Sequence, residues 1–125
     1  MKFDGSIEEH HKAIKEIKAS ILTFRELREK NVQRCEDVFH ELYSWSLTDW
    51  ATAVAGELGE SCNIIKKIHR GDFSLDEIKD KLADELADTQ LYLDLLAARA
   101  GIDLSAAVIK KFNEVSDKRG SKIKL

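Results

Sequence analysis

The chain has 125 residues, no proline, six glycines and a formal net charge of -3. That length suits one domain with a real core and is too short for two, while a composition 43% hydrophobic and 34% charged is too rich in Leu, Ile and Ala for disorder. The negative charge excludes a general nucleic-acid binder, which needs a basic surface, and no apolar run approaches the ~18 residues of a membrane span. The stretch Met1-Lys-Phe-Asp-Gly-Ser-Ile-Glu-Glu9 has no apolar signal core. Cys35 and Cys62 are the only cysteines, and Cys62 falls on an apolar helical stripe. Buried, reduced thiols and a cytoplasmic location are expected.

In chain order, Ser6-Ile-Glu-Glu9 has capping-box spacing. Ile7, Ile14 and Ile21, interleaved with Ile17 and Phe24, form a heptad-like seam that predicts a helix up to about residue 31. A seam of this kind needs a partner inside the chain or in another subunit, so a homodimer or homotetramer is expected. A shorter helix is predicted from Val32 to Leu42, with Val32, Cys35, Val38, Phe39 and Leu42 inward. Ser46-Leu-Thr-Asp49 opens a longer one that runs to about His69, where Gly71 suits a left-handed helix end. Ser74-Leu-Asp-Glu77 opens the next, ending near Gly101, and Asp103 caps a last helix carrying Leu104, Ala107, Val108, Ile109 and Phe112. The tail Ser121-Lys-Ile-Lys-Leu125 reads as loose. No strand-like alternation competes, so the predicted fold is all-α, an antiparallel bundle of four to five helices.

Two carboxylate couplets stand inside the long helices: Glu57-Leu-Gly-Glu60 and Glu85-Leu-Ala-Asp88. Residues three apart share a helix face. In the first helix Val54, Ala55, Leu58, Cys62 and Ile65 form the expected apolar stripe, with Glu57 and Glu60 on an adjoining stripe beside Ala53 and Ile64. In the second, Glu85, Asp88 and Tyr92 interrupt a leucine-rich surface. The turn at Gly71 makes the helices antiparallel neighbours and sets the couplets at similar height. Burying one unpaired carboxylate costs several kcal/mol, and like charges repel by roughly 4 kcal/mol per close pair at an effective dielectric near 20. A hard divalent cation removes both costs. Oxygen-only ligands suit Mg²⁺, with Mn²⁺ a possible substitute, and Mg²⁺ typically joins carboxylates to substrate phosphates. Zn²⁺ would need His or Cys, and a bundle di-iron oxidoreductase would need Glu-x-x-His pairs.

Trp50-Ala-Thr-Ala-Val-Ala-Gly-Glu57-Leu-Gly-Glu60, Asp84-Glu85-Leu-Ala-Asp88-Thr-Gln-Leu-Tyr92-Leu-Asp-Leu-Leu, Gly101-Ile-Asp-Leu104 and Lys111-Phe-Asn113 resemble the MazG-like all-α nucleoside triphosphate pyrophosphohydrolases. The likeness spans residues 45–120; the N-terminal helix, residues 1–31, is outside it and is a candidate oligomerisation element. The resemblance implies that Glu57, Glu60, Glu85 and Asp88 coordinate Mg²⁺. It also implies cleavage of a nucleoside triphosphate between its α- and β-phosphates to monophosphate and pyrophosphate.

Further residues have two readings each. Lys67 reaches a phosphate or is a solvent-facing lysine at a helix C-terminus. Trp50 stacks on a base or fills the core, and Tyr92 covers the substrate or fills the core. The resemblance tilts Lys111 and Asn113 toward phosphate or sugar contact. His40 reads better as a surface histidine than as a base contact. The rival function is a non-catalytic helical interaction module with a relic metal site, which would bear the burial cost of four acids without return.

Overall fold

A computed structural model describes residues 5–17 and 21–125. Among the described residues five α-helices follow one another: α1 (Ile7–Ile17), α2 (Phe24–Arg34), α3 (Leu47–Arg70), α4 (Leu75–Arg99) and α5 (Leu104–Arg119). A π-helical turn, Cys35–Phe39, extends α2, and a 3-10 turn, Leu42–Ser44, leads into α3.

Local capping sets most of these bounds. Ser46 and Ser74 each take part in a reciprocal capping box, with Asp49 and Glu77. The Asp103 side chain accepts from Ala106 N. Gly71, at φ 85°, ends α3 in the left-handed conformation that glycine adopts without Cβ strain.

The N-terminal segment is not the single helix that its isoleucine periodicity predicts. Residues 21–23 are not helical, and the Thr23 hydroxyl caps a fresh helix by accepting from Glu26 N at 3.0 Å. The heptad seam is therefore interrupted, with Ile7, Ile14 and Ile21 52% or more exposed; the Ile17 side chain lies outside the described residues. The predicted Val32–Leu42 helix is instead the end of α2 and its π-turn. The bond from His40 N to the Cys35 carbonyl spans five residues rather than four, which widens the helix and turns Val38 and Phe39 outward to 64% and 67% exposure. Cys35 and Leu42 stay buried as expected.

α3 and α4 form the principal helix pair, and α2 crosses α4. The core gathers Cys35, Leu42, Trp50 and Leu95, with Val32, Trp45, Tyr92, Leu96 and Ala98 packed against it. On α3 the inward stripe is Trp50, Ala53, Glu57, Ser61 and Ile64. The expected apolar stripe faces out, with Ala55, Leu58, Cys62 and Ile65 all exposed. Burial of the Trp50 indole explains the phase, since an aromatic of this size buries more surface than any other residue in the helix, and i+3 and i+4 steps from it lead to Ala53, Glu57 and Ser61. Cys62 is thus an exposed free thiol, while Cys35 is a buried one. The tail is tied rather than loose: Asn113 bonds the Leu125 backbone through both its oxygen and its nitrogen, and Lys124 pairs with Asp117.

An ion pair fixes α2 on α4. Asp94, 1% exposed, accepts from Arg28 Nε at 2.9 Å and from Asn31 Nδ2 at 3.1 Å. Arg28 also donates to the Ile102 carbonyl at 3.1 Å, joining both ends of this network to the turn before α5.

Candidate functional site

The inward phase of α3 points Glu57 at α4, where Glu85 and Asp88 stand one turn apart. Carboxylate oxygens of these three all lie within 4.8 Å of one another. Glu60 is exposed and outside this triad, yet it is near enough for its charge to act on both Glu57 and Glu85. The four acids of the two couplets therefore meet at one place.

One oxygen of Glu57 and one of Glu85, both Oε2, are shut off from solvent and have no hydrogen-bond partner. Orphaned buried carboxylate oxygens are costly. No lysine or arginine forms an ion pair with any of the four acids among the described residues. The donor set is all oxygen, which fits Mg²⁺ or Mn²⁺ and does not fit a zinc or di-iron centre built on histidine.

The crowding is visible in the protonation of the acids. Hydrogen bonding to Glu60, desolvation and the charges of Glu60, Glu57 and Asp88 push Glu85 up to about 7. Glu57 is raised too, by desolvation first and then by the charges of Glu60 and Asp88. In the unfolded chain Glu85 would lose its proton near the ordinary value of 4.5, so between about 4.5 and 7 the folded protein holds the extra proton and stability falls as pH rises. Asp49 and Glu114 are shifted the other way, and their contributions are lost only as pH falls below the usual carboxylate range. Thermal melts in chelator should accordingly give a lower Tm at pH 7.5 than at pH 5.5. A flat profile, or one unchanged by Glu85→Gln, would show that the acids do not repel one another as the geometry requires.

Asp88 also borders a cavity of about 340 Å³, within the size range of small-ligand clefts, lined by Asn31, Arg34, Cys35, Phe39, His40, Trp45, Trp50, Leu91, Tyr92 and Leu95. Its walls are aromatic. Trp45 and Trp50 stand 4.6 Å apart between ring centroids, His40 lies 4.3 Å from Trp45, and Tyr92 is 6.2 Å from Trp50. Trp50 is held by its indole N–H, which donates to the Leu42 carbonyl at 3.0 Å, and Trp45 by Arg99, whose Nε donates to the Trp45 carbonyl at 2.9 Å. The π-turn places His40: the Cys35 thiol donates to the His40 carbonyl, and Glu36 accepts from Leu42 N at 2.8 Å.

Trp50 and Tyr92 thus serve the core and the cavity wall together. His40 is a half-buried member of an aromatic stack rather than a surface histidine. Lys67 is half-buried on α3, two turns beyond Glu60. Lys111 and Asn113 are on α5, outside the lining of this cavity; Lys111 edges a separate groove with Phe112 and Arg119, and the Asn113 amide is engaged by the tail. Asn31, Arg34 and Trp45 went unnoticed in the sequence. The spacing Trp45-x₄-Trp50 was the available signal for the aromatic wall, whereas nothing local marks Asn31, whose partners are sixty or more residues away.

A larger cleft, about 800 Å³, opens between the start of α2 and the α4–α5 turn. Its buried charge, Asp94, is already paired with Arg28 and Asn31, so it offers less free chemistry than the acid cluster.

The described residues thus form an all-α protein whose α3–α4 pair carries a carboxylate cluster, one member of which, Asp88, borders an aromatic cavity. Compared with family models, curated proteins and solved structures, the chain finds no significant match.

Proposed function

We propose that this protein is a divalent-metal-dependent nucleotide pyrophosphohydrolase of the MazG-like all-α type, acting on a nucleoside triphosphate in nucleotide-pool housecleaning. The observation that carries the reading is the pair of orphaned buried oxygens on Glu57 and Glu85, in a cluster that shares Asp88 with the aromatic cavity. Phosphates and base of one nucleotide match these two halves. The resemblance over residues 45–120 supplies the bond cleaved.

Glu57, Glu85, Asp88 and Glu60 would hold Mg²⁺, or Mn²⁺ in its place, which when bound supplies charge neutralisation on phosphoryl oxygens and a more acidic water. The chain's own part is distinct. The antiparallel α3–α4 pair fixes four carboxylates before substrate arrives, so little reorganisation is left to the reaction. The carboxylate least occupied by metal accepts the proton of the attacking water. Trp50, Trp45 and Tyr92 exclude water from the base and orient it.

Hydrolysis in ¹⁸O-labelled water tests the reaction. Attack at the α-phosphorus places label in the monophosphate, with pyrophosphate unlabelled. Orthophosphate and nucleoside diphosphate as primary products would sink the reading.

A homodimer or dimer of dimers belongs to the same proposal. The outer face of α3 leaves Leu58 and Ile65 48% and 50% exposed, and Leu86 of α4 is 49% exposed, an apolar surface suited to association. A bare interaction module would explain this face but not the orphaned acids. Among the described residues no helix is long and apolar enough to cross a membrane, in keeping with the cytoplasmic location proposed here.

A further inference from the structure

Resting on the proposal that a nucleobase enters the aromatic cavity, we infer that the cavity selects bases carrying an exocyclic amino group, cytosine or adenine, over their carbonyl counterparts uracil and hypoxanthine. The basis is the hydrogen-bond polarity of two side chains in its wall.

The first is Asn31, 4% exposed. Its Nδ2 donates to the Leu91 carbonyl at 2.8 Å and to Asp94 Oδ2 at 3.1 Å, which uses both amide hydrogens. Rotating the amide would set its oxygen against two acceptors, so the orientation is fixed by its neighbours. What Asn31 has left for a ligand is Oδ1, an acceptor.

The second is His40. Its Nδ1 lies 3.0 Å from the Glu41 carbonyl and 3.1 Å from Ser44 Oγ. The Ser44 hydroxyl gives its own hydrogen to that same carbonyl at 2.6 Å. Nδ1 therefore faces only acceptors and must carry the ring hydrogen, which leaves Nε2 of the neutral imidazole as a bare acceptor. Two of the nearby donors are already engaged. The Trp50 N–H and the Cys35 thiol are bonded to the Leu42 and His40 carbonyls. Arg34 is exposed at the rim, with its guanidinium 5.8 Å from the centroid of the Phe39 ring.

An amino group at C4 of cytosine or C6 of adenine brings two hydrogens to a wall that offers these two acceptors. Uracil and hypoxanthine bring a carbonyl oxygen to the same place. That swap leaves acceptors of the cavity wall unpaired and opposed by another lone pair, the kind of mismatch that discriminates between isosteric ligands.

Two near-isosteric pairs test this on the unaltered protein. The expected result is a kcat/KM at least about tenfold higher for dCTP than for dUTP, and likewise for dATP over dITP. Equal rates, or a preference for dUTP and dITP, would overturn the inference while leaving the hydrolysis proposal standing. A second readout needs neither metal nor turnover. Both tryptophans of the chain, Trp45 and Trp50, line the cavity, so cytidine should quench their fluorescence at concentrations about tenfold lower than uridine does. Quenching with that order in a protein that hydrolyses no triphosphate would support the selectivity and reject the hydrolase. In His40→Phe, which keeps a stacked ring without a nitrogen, the cytidine to uridine ratio should fall toward one. An unchanged ratio in a variant with wild-type melting would remove His40 from the selection and overturn the two-acceptor account.

Discussion

Glu57→Gln and Glu85→Gln are each expected to lower kcat by about 10² or more, since a preorganised charge aimed at a reacting phosphoryl group commonly contributes ~3 kcal/mol to the transition state. The same substitutions should make the metal-free protein more stable above pH 7, because each removes a carboxylate held among like charges. Magnesium separates the two effects. In the unaltered protein a saturating titration raises Tm by mass action, worth ~2.7 kcal/mol at a hundredfold excess over Kd, and in either variant that shift should shrink sharply. Calorimetric melts with and without magnesium, beside initial rates of pyrophosphate release, make the comparison. Relief of repulsion alone predicts only the stability gain. A variant that gains stability yet keeps magnesium affinity and hydrolysis would remove the acids from the site.

Arg28→Ala is expected to be strongly damaging although it lies outside the acid cluster, at about 3 kcal/mol or more. Its partner Asp94 is 1% exposed, and losing the guanidinium 2.9 Å from Oδ1 leaves a buried carboxylate with Asn31 as its remaining side-chain donor. In a domain of this size that corresponds to a fall in Tm on the order of 10 °C. The cost should also reach the cavity, since Asn31 is aligned by the same carboxylate. Lys110→Ala provides the contrast, because its pair with Glu114, at 2.8 Å, lies between side chains 76% and 47% exposed; exposed i,i+4 pairs contribute ~0.5 kcal/mol or less. Urea denaturation of the two variants measures the difference. Arg28→Ala within 1 kcal/mol of the unaltered protein would mean that the pair does not hold α2 on α4.

The long helices were legible because their bounds are written within a few residues. Ser46 with Asp49, Ser74 with Glu77, Asp103 and Gly71 each fix a terminus by a bond or a backbone conformation that depends on near neighbours alone. For the same reason two acids three apart had to share a face, and the short turn at Gly71 had to bring the couplets together. Thr23 with Glu26 was an equally local signal, obscured by the isoleucine periodicity that ran across it.

Other features depended on contacts between distant parts of the chain. Which face of α3 turns inward was decided by burial of Trp50 against the core, so the more apolar stripe with Leu58 and Ile65 was left outside. The π-turn moved Val38 and Phe39 to the surface and brought His40 beside Trp45. Asn31 became part of the cavity wall through Leu91 and Asp94, partners 60 and 63 residues away. Caps and face-sharing are set by the geometry of one helical turn and so can be read from neighbouring residues. Facial phase, buried ion pairs and the polarity of a cavity depend on what lies across the interface, and those partners come from distant parts of the chain.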